Sequence, residues 1–327
     1  MATELRVGTR GSQLALWQAN AVAARIAQRG GPPCRLVIIQ TSGDRLQAAP
    51  LSDVGGKRLF VKEIEDALLR ETVDLAVHSS KDMPVVLPDG LAIAAVLPRE
   101  DPLDAIVLPR AAADVRPRAI DDLVQVLGQS PSIGTGSVRR VAQLTRLFPG
   151  ADFKPVRGNL DTRLRKLDDG AHHALVLAAA GLRRLGWASR ISFALPPAVC
   201  VPAPGQGIVA VEIRDNDAVV RSAVERIDDV EARAALTAER AVVAALGGGC
   251  QTPIGVLATP LDGGMLEVVA AVAAVDGSRV LRAHASGPRF DAAAVGAGLA
   301  RQLIEQGADE ILAHARGASS AVEGLQP

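Results

Sequence analysis

Short apolar runs alternate with stretches in which apolar residues recur every three or four positions, and this alternation organises the first two-thirds of the chain. Leu5–Gly8, Cys34–Gln40, Val73–His78 and Leu91–Leu97 read as strands, and Ser12–Arg29 and Phe60–Arg70 as helices. Alternation of this kind predicts an α/β domain. At Pro98-Arg99-Glu100-Asp101-Pro102 the pattern breaks and a second set begins. It comprises strands Ala105–Leu108, Ser132–Gly134, Phe153–Pro155 and Ala174–Ala178 and helices Ile120–Leu127, Val138–Leu147 and Leu160–Leu167. A second proline-rich stretch runs from Leu195 to Gly207 and leads into the apolar strand Ile208–Ile213, which reads as a return crossing. Beyond it come a helix, a glycine-rich loop, the runs Val256–Ala258, Met265–Val275 and Val280–Ala285, and a closing helix Ala292–Gln306. Asp262-Gly263-Gly264 and Asp276-Gly277-Ser278 are hairpin turns between those runs. The pattern predicts one lobe from 1–101 with 198–216, a second from 102–197, and a smaller α+β C-terminal domain from 217–327.

Composition narrows the class. A chain of 327 residues with 48% apolar and 22% charged residues is a soluble globular protein of two or three domains, loose only over its last dozen residues. Its three cysteines, Cys34, Cys200 and Cys250, show no CxxC spacing, so neither a disulfide framework nor a zinc site is expected. His172 and His173 are adjacent and point to opposite faces of a strand, and no metal is expected. Gly56-Lys57 lacks the rest of a P-loop, and Gly134-x-Gly136 lacks the third glycine of a dinucleotide fingerprint, which argues against a nucleotide cofactor. With no basic and apolar leader pattern at position 1 and no apolar run of membrane-spanning length, the expected setting is the cytoplasm.

Net charge is zero, yet Arg139 to Lys166 holds six arginines and two lysines against two aspartates, a local balance of +6. Aromatic residues make up 2% of the chain and tyrosine is absent, so stacking platforms for nucleic acid are lacking. The basic segment therefore points to a small polycarboxylate or phosphate.

Four features carry candidate chemistry. The turns Gly8-Thr9-Arg10-Gly11-Ser12 and Gly134-Thr135-Gly136-Ser137 each place a serine at a helix start, where free N–H groups and the helix dipole favour an anion. His78-Ser79-Ser80-Lys81-Asp82-Met83-Pro84 follows a buried strand, the position where open α/β sheets contact ligands, and Asp82 is its lone carboxylate. Arg139 and Arg140 open a helix, where they oppose its dipole, and with Arg157 and Arg163 they offer planar forks suited to carboxylates. Cys250 follows Gly247-Gly248-Gly249, an accessible setting that suits either an attachment point or a nucleophile.

Nine blocks in order resemble the porphobilinogen deaminase family. They are Gly8 to Ala19, Thr41-Ser42-Gly43-Asp44, Gly55 to Phe60, His78 to Pro84, Gly134 to Arg140, Arg157-Gly158-Asn159, Ala180 to Gly186, Pro204-Gly205-Gln206-Gly207 and Gly248-Gly249-Cys250-Gln251. Gly136 stands where serine is commoner in that family, and Val138 where leucine is commoner. The resemblance implies two lobes like type II periplasmic binding proteins with mixed sheets, plus a third domain bearing a dipyrromethane cofactor on Cys250 through a thioether. It implies the head-to-tail condensation of four porphobilinogen molecules into hydroxymethylbilane by a monomeric transferase of tetrapyrrole biosynthesis, with no nucleic-acid or membrane partner. By the same match Asp82 is the catalytic carboxylate. Lys81, Arg139, Arg140, Ser137, Asp44 and Gln206 bind the cofactor. Arg10, Ser12, Arg157, Arg163 and Arg184 bind substrate, and Lys57 and Phe60 belong to a mobile loop. The rival reading is a bilobed small-anion binding protein without catalysis.

Overall fold

The computed structural model describes residues 4–45, 61–249 and 252–323. Three sheets organise them. The first takes β1 (Leu5–Thr9), β2 (Cys34–Ile38), β3 (Leu75–Ser79) and β4 (Leu91–Val96), and is completed by β10 (Val209–Arg214) from far along the chain. Its order is β2-β1-β3-β10-β4, parallel across β2, β1 and β3 and antiparallel on both sides of β10. The helices α1 (Gln13–Gln28), α2 (Ser42–Arg45) and α3 (Lys62–Leu69) fall between its strands. The second sheet lies wholly between the two crossings and uses β5 (Asp104–Val107), β6 (Ser132–Gly134), β7 (Asp152–Lys154), β8 (Ala174–Ala178) and β9 (Phe193–Leu195). Its order, β7-β6-β8-β5-β9, repeats the same sequence of parallel and antiparallel pairings. Its helices are α4 (Ile120–Leu127), α5 (Val138–Leu144), α6 (Leu160–Asp168) and α7 (Ala179–Arg184).

The fold is thus α/β with two mixed sheets. Burial explains the near-continuous apolar runs of their central strands: β3, β8 and β10 are covered on both faces. Leu75, Val77, Val209, Val211 and Ile213 pack with α1 through Ala19, Val22 and Ile26, while Ile64 and Leu68 of α3 close over Ala76 on the other side.

After β10 come α8 (Ala218–Val224) and α9 (Val230–Ala245). The third sheet is an antiparallel meander of β11 (Ile254–Leu261), β12 (Met265–Ala273) and β13 (Val280–Pro288). Helices α9, α10 (Ala292–Glu305) and α11 (Ala308–Glu323) cover it, and Leu266, Val268, Val242, Leu299 and Leu312 share one core.

Two expectations change. Val220, Val224 and Ile227 pack into the core of the first sheet, so the stretch just after residue 217 lies against the first lobe and not with the third sheet. The stretch expected to be loose carries helix as far as Glu323. Strand β9 and helix α7 add elements that periodicity does not reveal, because three and six residues are too few to establish a period.

Candidate active site

The first half of the site hangs on the ends of β1 and β3. At the end of β1, Thr9 is buried, Arg10 is half-buried, and Ser12 caps α1 by accepting from the Ala15 N–H at 3.3 Å. Strand β3 ends at Ser79, whose hydroxyl accepts from the buried Gln18 amide at 2.8 Å. A 3-10 turn over Ser80–Asp82 then buries Ser80, leaves Lys81 half-buried and exposes Asp82. Arg10, Ser12, Gln18, Ser79 and Asp82 line one cleft. Two glycines let the return crossing pack closely, one against this turn and one against the first crossing. Gly205, at φ +73°, approaches so closely that a Cβ would stand 2.7 Å from Ser80 Oγ, and one on Gly207, at φ +86°, would stand 2.2 Å from the Glu100 carbonyl oxygen.

The second half centres on a residue that the sequence reading passed over. Asp104, fully buried at the start of β5, accepts from Arg139 Nη1 at 2.6 Å, Arg140 Nη2 at 2.7 Å and Gln206 Nε2 at 3.0 Å. Arg139 Nη1 also donates to the Val201 carbonyl, and Arg140 Nη1 to the Val176 carbonyl, both within 2.8 Å. Burial alone would raise the Asp104 carboxyl, but the two guanidinium groups outweigh it and hold the acid far below the usual carboxylate range. Arg139 and Arg140 therefore do not form an exposed helix face. Both are buried, and much of their hydrogen-bonding capacity is spent inside the protein.

Gln206 joins the two halves. Its amide donates to the Pro102 carbonyl and to Asp104, while its oxygen lies 3.5 Å from Lys81 Nζ, a long contact. Burial lowers Lys81 to about 8; Asp82 and Asp104 raise it, and Arg140 and Arg139 oppose them. Arg163 is lowered too, first by burial and then by Arg140, and its Nε donates to the Gly158 carbonyl at 2.8 Å. Ser137 caps α5 through the Arg140 N–H, and Arg157 is half-buried near Arg163. Arg184 donates to the Gly207 carbonyl at 2.7 Å. Lys57, Phe60 and Cys250 lie outside the described residues. Asp44 falls in α2. Among the described residues no cluster of potential metal ligands occurs, and no helix is long and apolar enough to cross a membrane.

Family models match along nearly the whole chain: the porphobilinogen deaminase dipyrromethane cofactor binding domain over residues 5–222, and the C-terminal domain of the same family over residues 234–305. The chain belongs to the porphobilinogen deaminase family. Porphobilinogen deaminases of Syntrophobacter fumaroxidans, Chromobacterium violaceum and Bordetella parapertussis are 44%, 46% and 47% identical to it. Each alignment covers 94% of this chain and at least 95% of the relative. Among solved structures, an ancestral cationic amino acid solute binding protein matches at 15% identity and a TM-score of 0.41, over 68% of this chain and 87% of that one.

The donor set fits the porphobilinogen deaminase cofactor. Two linked pyrroles carry four carboxylate arms, and cations outnumber anions around the cleft: Arg10, Lys81, Arg139, Arg140 and Arg163 stand against Asp82 and Asp104. Asp104 balances one charge of the Arg139–Arg140 pair, and the remaining positive charge is available to an anion. Sequence reasoning also missed the Gln18–Ser79 bond. A signal for Asp104 was present, since a lone acid opening an otherwise apolar buried strand demands a cation.

Proposed function

We propose that the protein is a hydroxymethylbilane synthase: it joins four porphobilinogen molecules head to tail with loss of ammonia, extends a dipyrromethane held by Cys250, and releases the linear tetrapyrrole by hydrolysis. The family match over both domains carries this reading, and the exposed carboxylate of Asp82 among cations in the cleft agrees with it. When bound, the dipyrromethane supplies a ring with a free α-carbon as nucleophile.

The chain's own residues do the rest. Departure of ammonia leaves a cationic azafulvene, and the Asp82 carboxylate accepts the pyrrole N–H and stabilises that charge. The same oxygen atoms can pass a proton to the leaving amine and take one from the ring carbon after the new C–C bond forms. Arg10, Ser12, Arg157, Arg163 and Arg184 hold the acetate and propionate arms of incoming substrate. Lys81, Arg139, Arg140, Ser137, Asp44 and Gln206 hold those of the cofactor. Lys57 and Phe60 are assigned to a loop over the cleft. The lobes are 1–101 with 198–216 and 102–197, followed by a cofactor-bearing domain, 217–327, whose first residues to Ile227 pack on the first lobe. The enzyme works as a cytoplasmic monomer without nucleic-acid or membrane partners. Zero net charge and the free thiols of Cys34 and Cys200 suit that setting.

Intact denatured mass with peptide mapping tests this reading. Two linked pyrroles on the Cys250 peptide are expected, with further pyrrole increments after adding porphobilinogen. An unmodified protein that stays unmodified on incubation with porphobilinogen overturns it.

A further inference from the structure

Helices α1 and α7 come from the segments of the two different sheets, yet they touch. Leu14 and Trp17 lie three residues apart on one face of α1; Gly181 and Arg184 lie three apart on the facing side of α7. Leu14 Cδ2 is 3.6 Å from where a side chain on Gly181 would begin, so the helices meet closely there. One turn further along, the Arg184 guanidinium lies 5.5 Å from the centroid of the Trp17 ring. Its Nη2 is held by the Gly207 carbonyl of the return crossing, and among the described residues Nε and Nη1 make no hydrogen bond. Burial pulls Arg184 down to about 10, with Glu100 raising it, so it remains a cation near neutrality. Trp17 itself is 40% exposed.

We infer that Trp17 is a positioning residue. Its ring fixes the Arg184 guanidinium across the lobe boundary, so that binding of a substrate carboxylate at Arg184 and closure of α7 onto α1 become one event. This inference rests on the reading of Arg184 as a carboxylate ligand. The physical basis is a desolvated cation over an indole face, which fixes the fork's plane while its remaining donors stay free. Without the ring, Arg184 keeps the Gly207 hydrogen bond and the helices keep the Leu14–Gly181 approach, but the guanidinium plane is no longer fixed.

The test uses holoenzyme. Trp17→Leu is expected to raise KM for porphobilinogen about 3- to 30-fold while kcat stays within about twofold. Trp17→Phe, which keeps a ring face, should recover most of the loss. The chain has two tryptophans, so in Trp187→Phe protein all indole emission comes from Trp17. Adding Arg184→Leu should shift that emission, and porphobilinogen should shift it only while Arg184 is present. An unchanged KM in Trp17→Leu, or a Trp17→Phe variant as impaired as Trp17→Leu, overturns the inference. A wild-type holoenzyme that consumes no porphobilinogen overturns the functional reading instead; the clamp then stands if Trp17 emission responds to Arg184→Leu and falls if it does not.

Discussion

The turn between β1 and α1 and the turn between β6 and α5 are built alike and end in different states. In each, a strand runs through small residues into a serine that caps the helix, at 3.3 Å for Ser12 and 3.4 Å for Ser137. Arg10 precedes its cap, sits in the loop and lines the cleft. Arg139 and Arg140 follow theirs, are 4% and 6% exposed, and fold back onto Asp104. The matching strands show why. Asp104 pairs in register with Ala178, the last residue of β8, and the corresponding partner of Ser79, the last residue of β3, is Val209. The second lobe therefore has a carboxylate where the first has an apolar side chain. A shared turn geometry does not decide whether its cations face a ligand; the residue opening the fourth strand of the sheet does.

Four experiments bear on this contrast. Asp82→Asn removes the carboxylate that lines the cleft, and turnover should fall about 10²- to 10⁴-fold with thermal stability unchanged. Ordinary turnover by that variant would remove Asp82 from the chemistry. Asp104→Asn leaves two buried guanidinium groups without their counter-charge and should cost about 3–5 kcal/mol in urea unfolding. Unchanged stability would mean that Arg139 and Arg140 do not depend on Asp104 for their counter-charge. Arg10→Leu should raise KM about tenfold, the size of one charge-assisted pair, while stability shifts by less than about 0.5 kcal/mol. A large stability loss there would erase the difference between the turns.

The smallest effect is in pH. Lys81 is lowered to about 8, so its ammonium is present below that pH and is shed above it. Affinity for carboxylates should decline as pH rises through 8, and Lys81→Arg should flatten the decline. Folding stability moves the other way: between 8 and the ordinary value of 10.5 the unfolded chain binds the extra proton, so stability rises with pH. A pH profile of cofactor assembly from porphobilinogen in the apoenzyme with no inflection near 8 removes Lys81 from the cofactor's carboxylate ligands.

Much of this was legible in the chain. Strand–turn–helix units announce themselves through apolar period and glycine placement, and the segment ending at Asp82 stood out because a buried strand ran straight into polar residues. What could not be read was pairing at a distance. Arg139 and Arg140 reach an aspartate 35 and 36 positions away, a contact set by sheet order and not by local pattern. The same limit hid the packing of Val220 and Val224 against the first sheet, because an amphipathic helix does not state which core it covers. The Trp17–Arg184 contact joins helices from different lobes and has no local signature at all.

Glu239, on α9, is fully buried, and its two oxygens accept from Arg99 at the first crossing at 2.6 Å, from the Gly205 N–H at the second at 2.6 Å, and from the Ala258 N–H of β11 at 2.8 Å. One carboxylate thus ties both linkers to the third sheet, and the consequence is calorimetric. With Glu239 in place the whole chain should melt as one cooperative unit; with Glu239→Ala the endotherm should split, the third sheet and the paired lobes each unfolding at its own temperature.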